Sequence, residues 1–156
     1  MPDHSSASRP AARATSPSME QYIETIAYLL TQASVCSVSD IAAHANVSRP
    51  AASRAVRDLA AKSLVQHKSY GYVELTEQGR ALAHRLSARH AMLYDFFERV
   101  LGLSTKDADR EACRLEHHLD DDLVGRLGEV TAFIEGNETL SAQWRQRIAR
   151  LTRPGI

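Results

Sequence analysis

Apolar residues recur at helical spacing over most of the chain. Met19, Tyr22, Ile23, Ile26, Ala27, Leu29 and Leu30 fall on one stripe and predict a helix from Ser18 to about Thr31, with Ser18 as its cap and Glu20 in its first turn. Two short helices follow, Val38 to Val47 and then Ser48 to Leu59, capped by Ser37 or Ser39 and by Ser48. Pro50 falls in the first turn of the second, where no intrahelical N–H bond is lost. The period then changes. Leu64 to Lys68 and Tyr72 to Thr76, on either side of Ser69-Tyr70-Gly71, read as a β-hairpin turning near Gly71. Thr76-Glu77-Gln78-Gly79 starts a long helix whose apolar positions Leu82, Leu86, Met92, Leu93, Phe96, Phe97 and Val100 carry it to Gly102. Roughly 25 residues give it a length of about 40 Å, suited to a spine joining two parts of the chain. Three more helices are predicted: one capped by Ser104, one opened by Asp120 to Asp122 and ending at Gly136, and an amphipathic one from Leu140 to Leu151. Residues 1 to 17 lack apolar periodicity, are rich in Ser, Ala and Pro, and are expected to be a disordered tail carrying Arg9 and Arg13.

Composition agrees with a mainly α chain. Of 156 residues, 44% are hydrophobic and only 6% aromatic, so the core is built from Leu, Ala, Ile and Val. That length fits one domain, or two small ones sharing a core. Net charge is +0, yet charge is segregated. Arg49, Arg54, Arg57, Lys62 and Lys68 stand in the first half, whereas Asp107, Asp109, Glu111, Glu116 and Asp120 to Asp122 crowd the second. Nucleic-acid binding would therefore come from local clustering. Two cysteines, Cys36 and Cys113, give no disulfide framework, and no long apolar run or signal peptide is seen. A soluble cytoplasmic protein without membrane contact is expected.

Two short helices joined by a tight turn, the second small and basic and followed by a hairpin, form the pattern of a winged helix-turn-helix that binds double-stranded DNA. The alanines of the second helix let its backbone sink into a major groove. Ser48, Arg49, Pro50, Ser53 and Arg54 would sit at its groove-facing end, with Arg54 able to read a guanine edge. Arg57, Lys62 and Lys68 would take phosphates, and Tyr70 lies near the hairpin tip.

The most chemically loaded stretch is Cys113-Arg114-Leu115-Glu116-His117-His118. Residues three and four apart share a helical face, so Cys113, Glu116 and His117 are expected to converge, with His118 pointing elsewhere. Thiol, carboxylate and imidazole together suggest half of the ligand shell of a divalent transition metal, the rest coming from other helices. A solvated acidic helix with a small buried thiol explains the same spacing.

Taken with Ser18-Met19-Glu20-Gln21-Tyr22-Ile23-Glu24, Val38-Ser39-Asp40-Ile41-Ala42, Leu75-Thr76-Glu77-Gln78-Gly79 and Arg89-His90, the stretch Glu111 to Leu119 resembles the diphtheria toxin repressor and manganese transport regulator family of metal-dependent repressors. The resemblance runs from about Met19 to Gly136. It implies a winged helix-turn-helix DNA-binding domain over residues 18–78, a helical metal-binding and dimerisation domain over 79–152, and a homodimer that binds operator DNA once metal is bound. It also implies metal ligands at Gln21, Glu24, His90, Cys113, Glu116 and His117. Glu24, His90, Glu116 and His117 match the manganese-type pattern. Gln21 departs from both branches, and Cys113 resembles the iron-type one. The ancillary site of the iron branch would fall at His90, Tyr94 and Asp109, a poor ligand set, and the extra regulatory domain of that branch is expected to be missing because the chain stops at Ile156. Thiolate and imidazole prefer Fe(II), Co(II) or Zn(II) to Mn(II), so Fe(II) is favoured as activator with Mn(II) close behind. The implied role is repression of metal-uptake genes.

Two rivals remain at this level. A winged-helix regulator that senses thiol oxidation at Cys113, or a small organic ligand, has the same DNA-binding part. A zinc hydrolase using His90, Glu116 and His117 lacks a HExxH motif, a nucleophile and an oxyanion device, so no enzymatic activity is expected.

Overall fold

The structure, a computed structural model, describes residues 16–68 and 71–151. The tail with Arg9 and Arg13, the hairpin tip at Ser69 and Tyr70, and Arg153 lie outside the described residues.

Helix α1 (Pro17–Gln32) begins two residues earlier than its polar pattern suggests. Ser16, not Ser18, is the cap and accepts from the Met19 amide, because Pro17 suits the first helical position, where an amide proton would have no partner. A two-residue strand, β1 (Cys36–Ser37), leads into α2 (Val38–His44). Ser37 and Asp40 form a reciprocal capping box at its start. The turn into α3 (Arg49–Ala61) passes through Asn46 at φ 52°, a left-handed conformation that Asn tolerates better than most side chains. Strands β2 (Val65–His67) and β3 (Tyr72–Leu75) form the hairpin, and β1 adds to its free edge in the order β1-β3-β2, all antiparallel. Too short to show alternation, β1 escapes the pattern of the sequence.

Helix α4 (Glu77–Asp95) is the spine, and its last turn opens into a π-helical turn over Phe96–Val100. Thr76 caps it and donates to the Ser63 carbonyl at 2.6 Å. A Cβ at Gly79 would lie 1.9 Å from the Leu64 carbonyl oxygen, so only glycine lets the spine start this close to the wing. Helices α5 (Thr105–Leu115), α6 (Asp121–Glu135) and α7 (Glu138–Leu151) complete the chain. The expected mainly α architecture, a winged helix-turn-helix followed by a helical part, is what forms.

Two apolar clusters divide the molecule. One joins Ile23 and Ile26 of α1, Ile41, Val56, Leu59, Val73 and Leu86. The other joins Leu93, Phe97, Ala108, Ala112 and Val124. The spine contributes to both, while α1 packs on α4 with its acidic flank, Glu20 and Glu24, turned toward the end of α5. No helix among the described residues is long and apolar enough to cross a membrane.

Candidate metal centre and nucleic-acid interface

The stretch read as one helical face does not behave as one. Helix α5 stops at Leu115, Glu116 is its C-cap, and His117 lies in the turn beyond. Cys113 falls in a different three-residue donor set from Glu116 and His117, although its Sγ and Glu116 Oε2 both approach His90 Nδ1. Two donor sets result, in each of which the three ligand atoms lie within 4.8 Å of one another: Glu24, Glu116 and His117, and His90, Asp109 and Cys113.

The inner set is buried except for Glu24, which is half-buried. Glu116 is 4% and His117 5% exposed, and Glu24 arrives from α1. His117 Nε2 lies 3.4 Å from Glu24 Oε2 and 3.5 Å from Glu116 Oε1. Its other nitrogen, Nδ1, lies 3.0 Å from Glu20 Oε2. The outer set is more open: His90 Nε2 is 3.2 Å from Asp109 Oδ1, and His90 Nδ1 is 4.0 Å from Cys113 Sγ. Glu116 bridges the sets. Its Oε2 lies 3.1 Å from His90 Nδ1 while Oε1 faces His117.

Electrostatics identify what the sets lack. Glu24 and Glu20 outweigh burial and push the His117 imidazole up to about 8, and Glu116 raises His90 in the same direction. Burial, together with Glu116, Asp109 and Glu24, pushes the Cys113 thiol up. Protons are thus held where positive charge is needed. Converging carboxylates, imidazole and thiol, partly buried and short of positive charge, fit a divalent transition metal. Cys36 differs: it is fully buried in the core, and burial raises its thiol to about 11.

Of the residues implied as ligands, Glu24, Glu116 and His117 come together, as do His90 and Cys113. Gln21 is exposed on α1, and its side chain makes no hydrogen bond among the described residues. Tyr94 turns away to donate to Glu98 at 2.9 Å, and Cys113 takes its place beside His90 and Asp109, which makes the outer set a better one than the ancillary triad suggests. Sequence reasoning missed Glu20 and Arg89 as part of the site. Arg89 donates to the Glu116 carbonyl at 2.9 Å, pairs with Asp121, and lies 3.9 Å from Glu20. A signal existed, since Glu20 stands one helical turn before Glu24, but its burial depends on α5.

In the N-terminal part, α3 presents exposed Arg49, Pro50, Arg54 and Arg57, with Ser53 half-buried. None of these arginines makes an ion pair among the described residues, which leaves their charge for an outside anion. The Ser48 side chain caps α3, accepting from the Ala51 amide. Lys62 is exposed, and Lys68 on the hairpin pairs with Glu74 at 3.4 Å, an exposed contact that phosphate can replace.

The chain matches two family models: "Iron dependent repressor, N-terminal DNA binding domain" over residues 14–73 and "Iron dependent repressor, metal binding and dimerisation domain" over 76–144. It is 32% identical over 122 residues to the HTH-type transcriptional regulator MntR of Geobacillus kaustophilus, spanning 78% of this chain and 86% of that one. With MntR of Bacillus velezensis it shares 28% over 141 residues, 90% and 99% of the two chains. A manganese-dependent transcriptional repressor in complex with manganese is 31% identical with a TM-score of 0.65, over 74% of this chain and 53% of that one. The T. acidophilum IdeR crystal structure shares the fold, at 23% identity and a TM-score of 0.64, over 81% and 56%. The chain thus spans about half the length of those two solved structures. With a helix-turn-helix matched by one description and His90, Asp109, Cys113, Glu116 and His117 of the donor cluster lying in the region matched by the other, the chain belongs to the iron-dependent repressor family of metal-dependent transcriptional regulators.

Proposed function

We propose that the chain is a cytoplasmic repressor of metal-uptake genes that binds operator DNA as a homodimer when both donor sets hold a divalent cation. Glu24, Glu116 and His117 would hold one ion, His90, Asp109 and Cys113 a second, with Glu116 shared. The bridging carboxylate of Glu116 is the observation that carries this reading. A divalent cation supplies the positive charge that lets these acids stay ionised side by side.

Glu24 belongs to α1, whose Ile23 and Ile26 pack in the same core as α2 and α3. Glu116 and His117 belong to the end of α5. When these side chains share one centre, α1 is held against α5, and α3 takes a fixed posture relative to the helical part. In a dimer this fixes the distance between two α3 helices, whose Ser48, Arg49, Pro50, Ser53 and Arg54 face bases and whose Arg57, with Lys62 and Lys68, faces phosphates. By linkage, operator DNA tightens cation binding by the factor that the cation tightens DNA binding.

The inner set, two carboxylates and an imidazole, serves Mn(II) and Fe(II) alike, whereas the Cys113 thiolate in the outer set favours Fe(II). Relatives described as manganese regulators favour Mn(II) as the second reading. Fluorescence anisotropy of operator DNA with the full chain under anaerobic Fe(II), Mn(II), Zn(II) and chelator tests both. Equal DNA affinity with cation and with chelator would remove the proposal.

A further inference from the structure

Glu20 is among the few buried charged residues of the described part of the chain, 3% exposed, and it belongs to neither donor set. A carboxylate taken out of water is costly unless something specific holds it. Its Oε2 meets His117 Nδ1 at 3.0 Å, and Arg89 lies 3.9 Å behind it. With Nδ1 engaged, the ring's remaining nitrogen is turned to Glu24 and Glu116, at 3.4 and 3.5 Å. Glu20 and Glu24 are four residues apart on α1, so a single helix face grips both nitrogens of one imidazole. Arg89, on the spine, also holds the Glu116 carbonyl at 2.9 Å and the Asp121 carboxylate, and thereby ties α1 to the ends of α5 and α6.

We propose that Glu20 is a positioning residue for the metal centre: it holds the Nδ1–H of His117 so that Nε2 is presented as the ligand atom, with Arg89 fixing Glu20 in place. This rests on the reading of Glu24, Glu116 and His117 as a cation site. A metal-ligating histidine donates its other N–H to a carboxylate, which sets tautomer and ring orientation and raises ligand basicity. Here that carboxylate comes from α1, inside the core of the DNA-binding part. His117 is therefore oriented by the element whose posture the cation is to control.

The test uses the full chain and Zn(II), whose diamagnetism permits NMR. Zn(II) affinity is measured by competition with a chromophoric chelator for wild type, Glu20→Gln and Glu20→Met, and the His117 tautomer is read from long-range 15N–1H correlations of the zinc-loaded protein. Wild type is expected to show the Nδ1–H form. Glu20→Met, of similar size but without an acceptor, is expected to bind Zn(II) 10–100-fold more weakly and lose the tautomer preference, by the usual cost of deleting such a partner. Glu20→Gln, which keeps a carbonyl oxygen to accept from Nδ1–H, is expected to retain the tautomer and fall between the two. Equal Zn(II) affinity in wild type and Glu20→Met, or equal losses in both variants accompanied only by a lower melting temperature, would overturn the proposal. Absence of Zn(II) binding by the wild-type chain would overturn instead the cation site on which it depends.

Discussion

His90 Nδ1 and Glu116 Oε2 lie 3.1 Å apart although 26 residues separate them, and the other oxygen of the same carboxylate faces His117. Glu116 thus belongs to the inner donor set and touches the outer one through His90. Glu116→Ala is expected to disable both, leaving DNA affinity at the level of the chelated wild type. Since couplings between effector and DNA sites are typically about 5–150-fold, a loss in that range should appear in metal-saturated anisotropy titrations. A variant that still responds fully to metal would contradict the shared role. A redox response that survives Glu116→Ala would point to the thiol-sensing rival.

Cys113 is the soft donor of the outer set. Cys113→Ser is expected to weaken Zn(II) and Co(II) more than Mn(II), narrowing the preference between them. Competition titrations of the two proteins with each metal measure this. Because the thiol is held protonated, its coordination should release a proton, which buffer-dependent calorimetric enthalpies detect.

His117 sets a pH dependence for the metal-free chain. Its imidazole is raised to about 8 from an ordinary value near 6.5, so the folded state binds this proton more tightly than the unfolded state does. The resulting stabilisation is fully present below the unfolded value and is lost as pH rises through about 8. A shift of that size corresponds to about 2 kcal/mol. Thermal melts in chelator between pH 6 and 9 should show the decline, and His117→Gln should flatten it. Cation binding displaces the same proton and should strengthen over the same interval.

Arg54 and Arg57 should differ in kind. Arg54→Ala, at the groove-facing end of α3, is expected to cost about 1–3 kcal/mol on the operator and to relax base preference at one position. Arg57→Ala should weaken operator and unrelated DNA alike and lower the salt slope by about one. Anisotropy against both DNAs over a salt series separates the two, and a uniform loss for Arg54→Ala would reassign it to phosphate.

Among the described residues, five of the eight large apolar side chains left exposed, Met92, Leu101, Leu123, Val130 and Phe133, lie within residues 76–144, and Phe133 is 74% exposed. Phe133 with Val130 on α6 is the patch expected to meet the second copy. Phe133→Asp should leave the fold intact and shift the chain to monomer in sedimentation velocity, with operator affinity falling in parallel. A dimer of unchanged strength would place the interface elsewhere.

By itself the sequence determined the elements other than β1, their caps other than that of α1, and the chemical inventory. The apolar periods of α1, α4 and α6, the serine and threonine caps and the wing at Gly71 are local signals, because a helix face or a turn is decided by residues a few positions apart. Cys113, Glu116 and His117 were legible as candidate ligands for the same reason, whereas Glu24 and His90 became candidates only through the family resemblance. How they partition was not. Cys113 groups with His90 and Asp109, while His117 meets α1 and Glu116 touches both His117 and His90, and no spacing within Cys113 to His118 records that division. Tyr94 and Asp109 are both helical and both near His90 in sequence or space, yet only Asp109 faces it. Glu20 reads only as a first-turn acid and Arg89 only as part of the Arg89-His90 resemblance until α1, the spine and the α5–α6 corner close around them. Tertiary structure decided these roles because burial and charge pairing are set by the neighbours that other elements supply, and those neighbours lie up to 97 residues away.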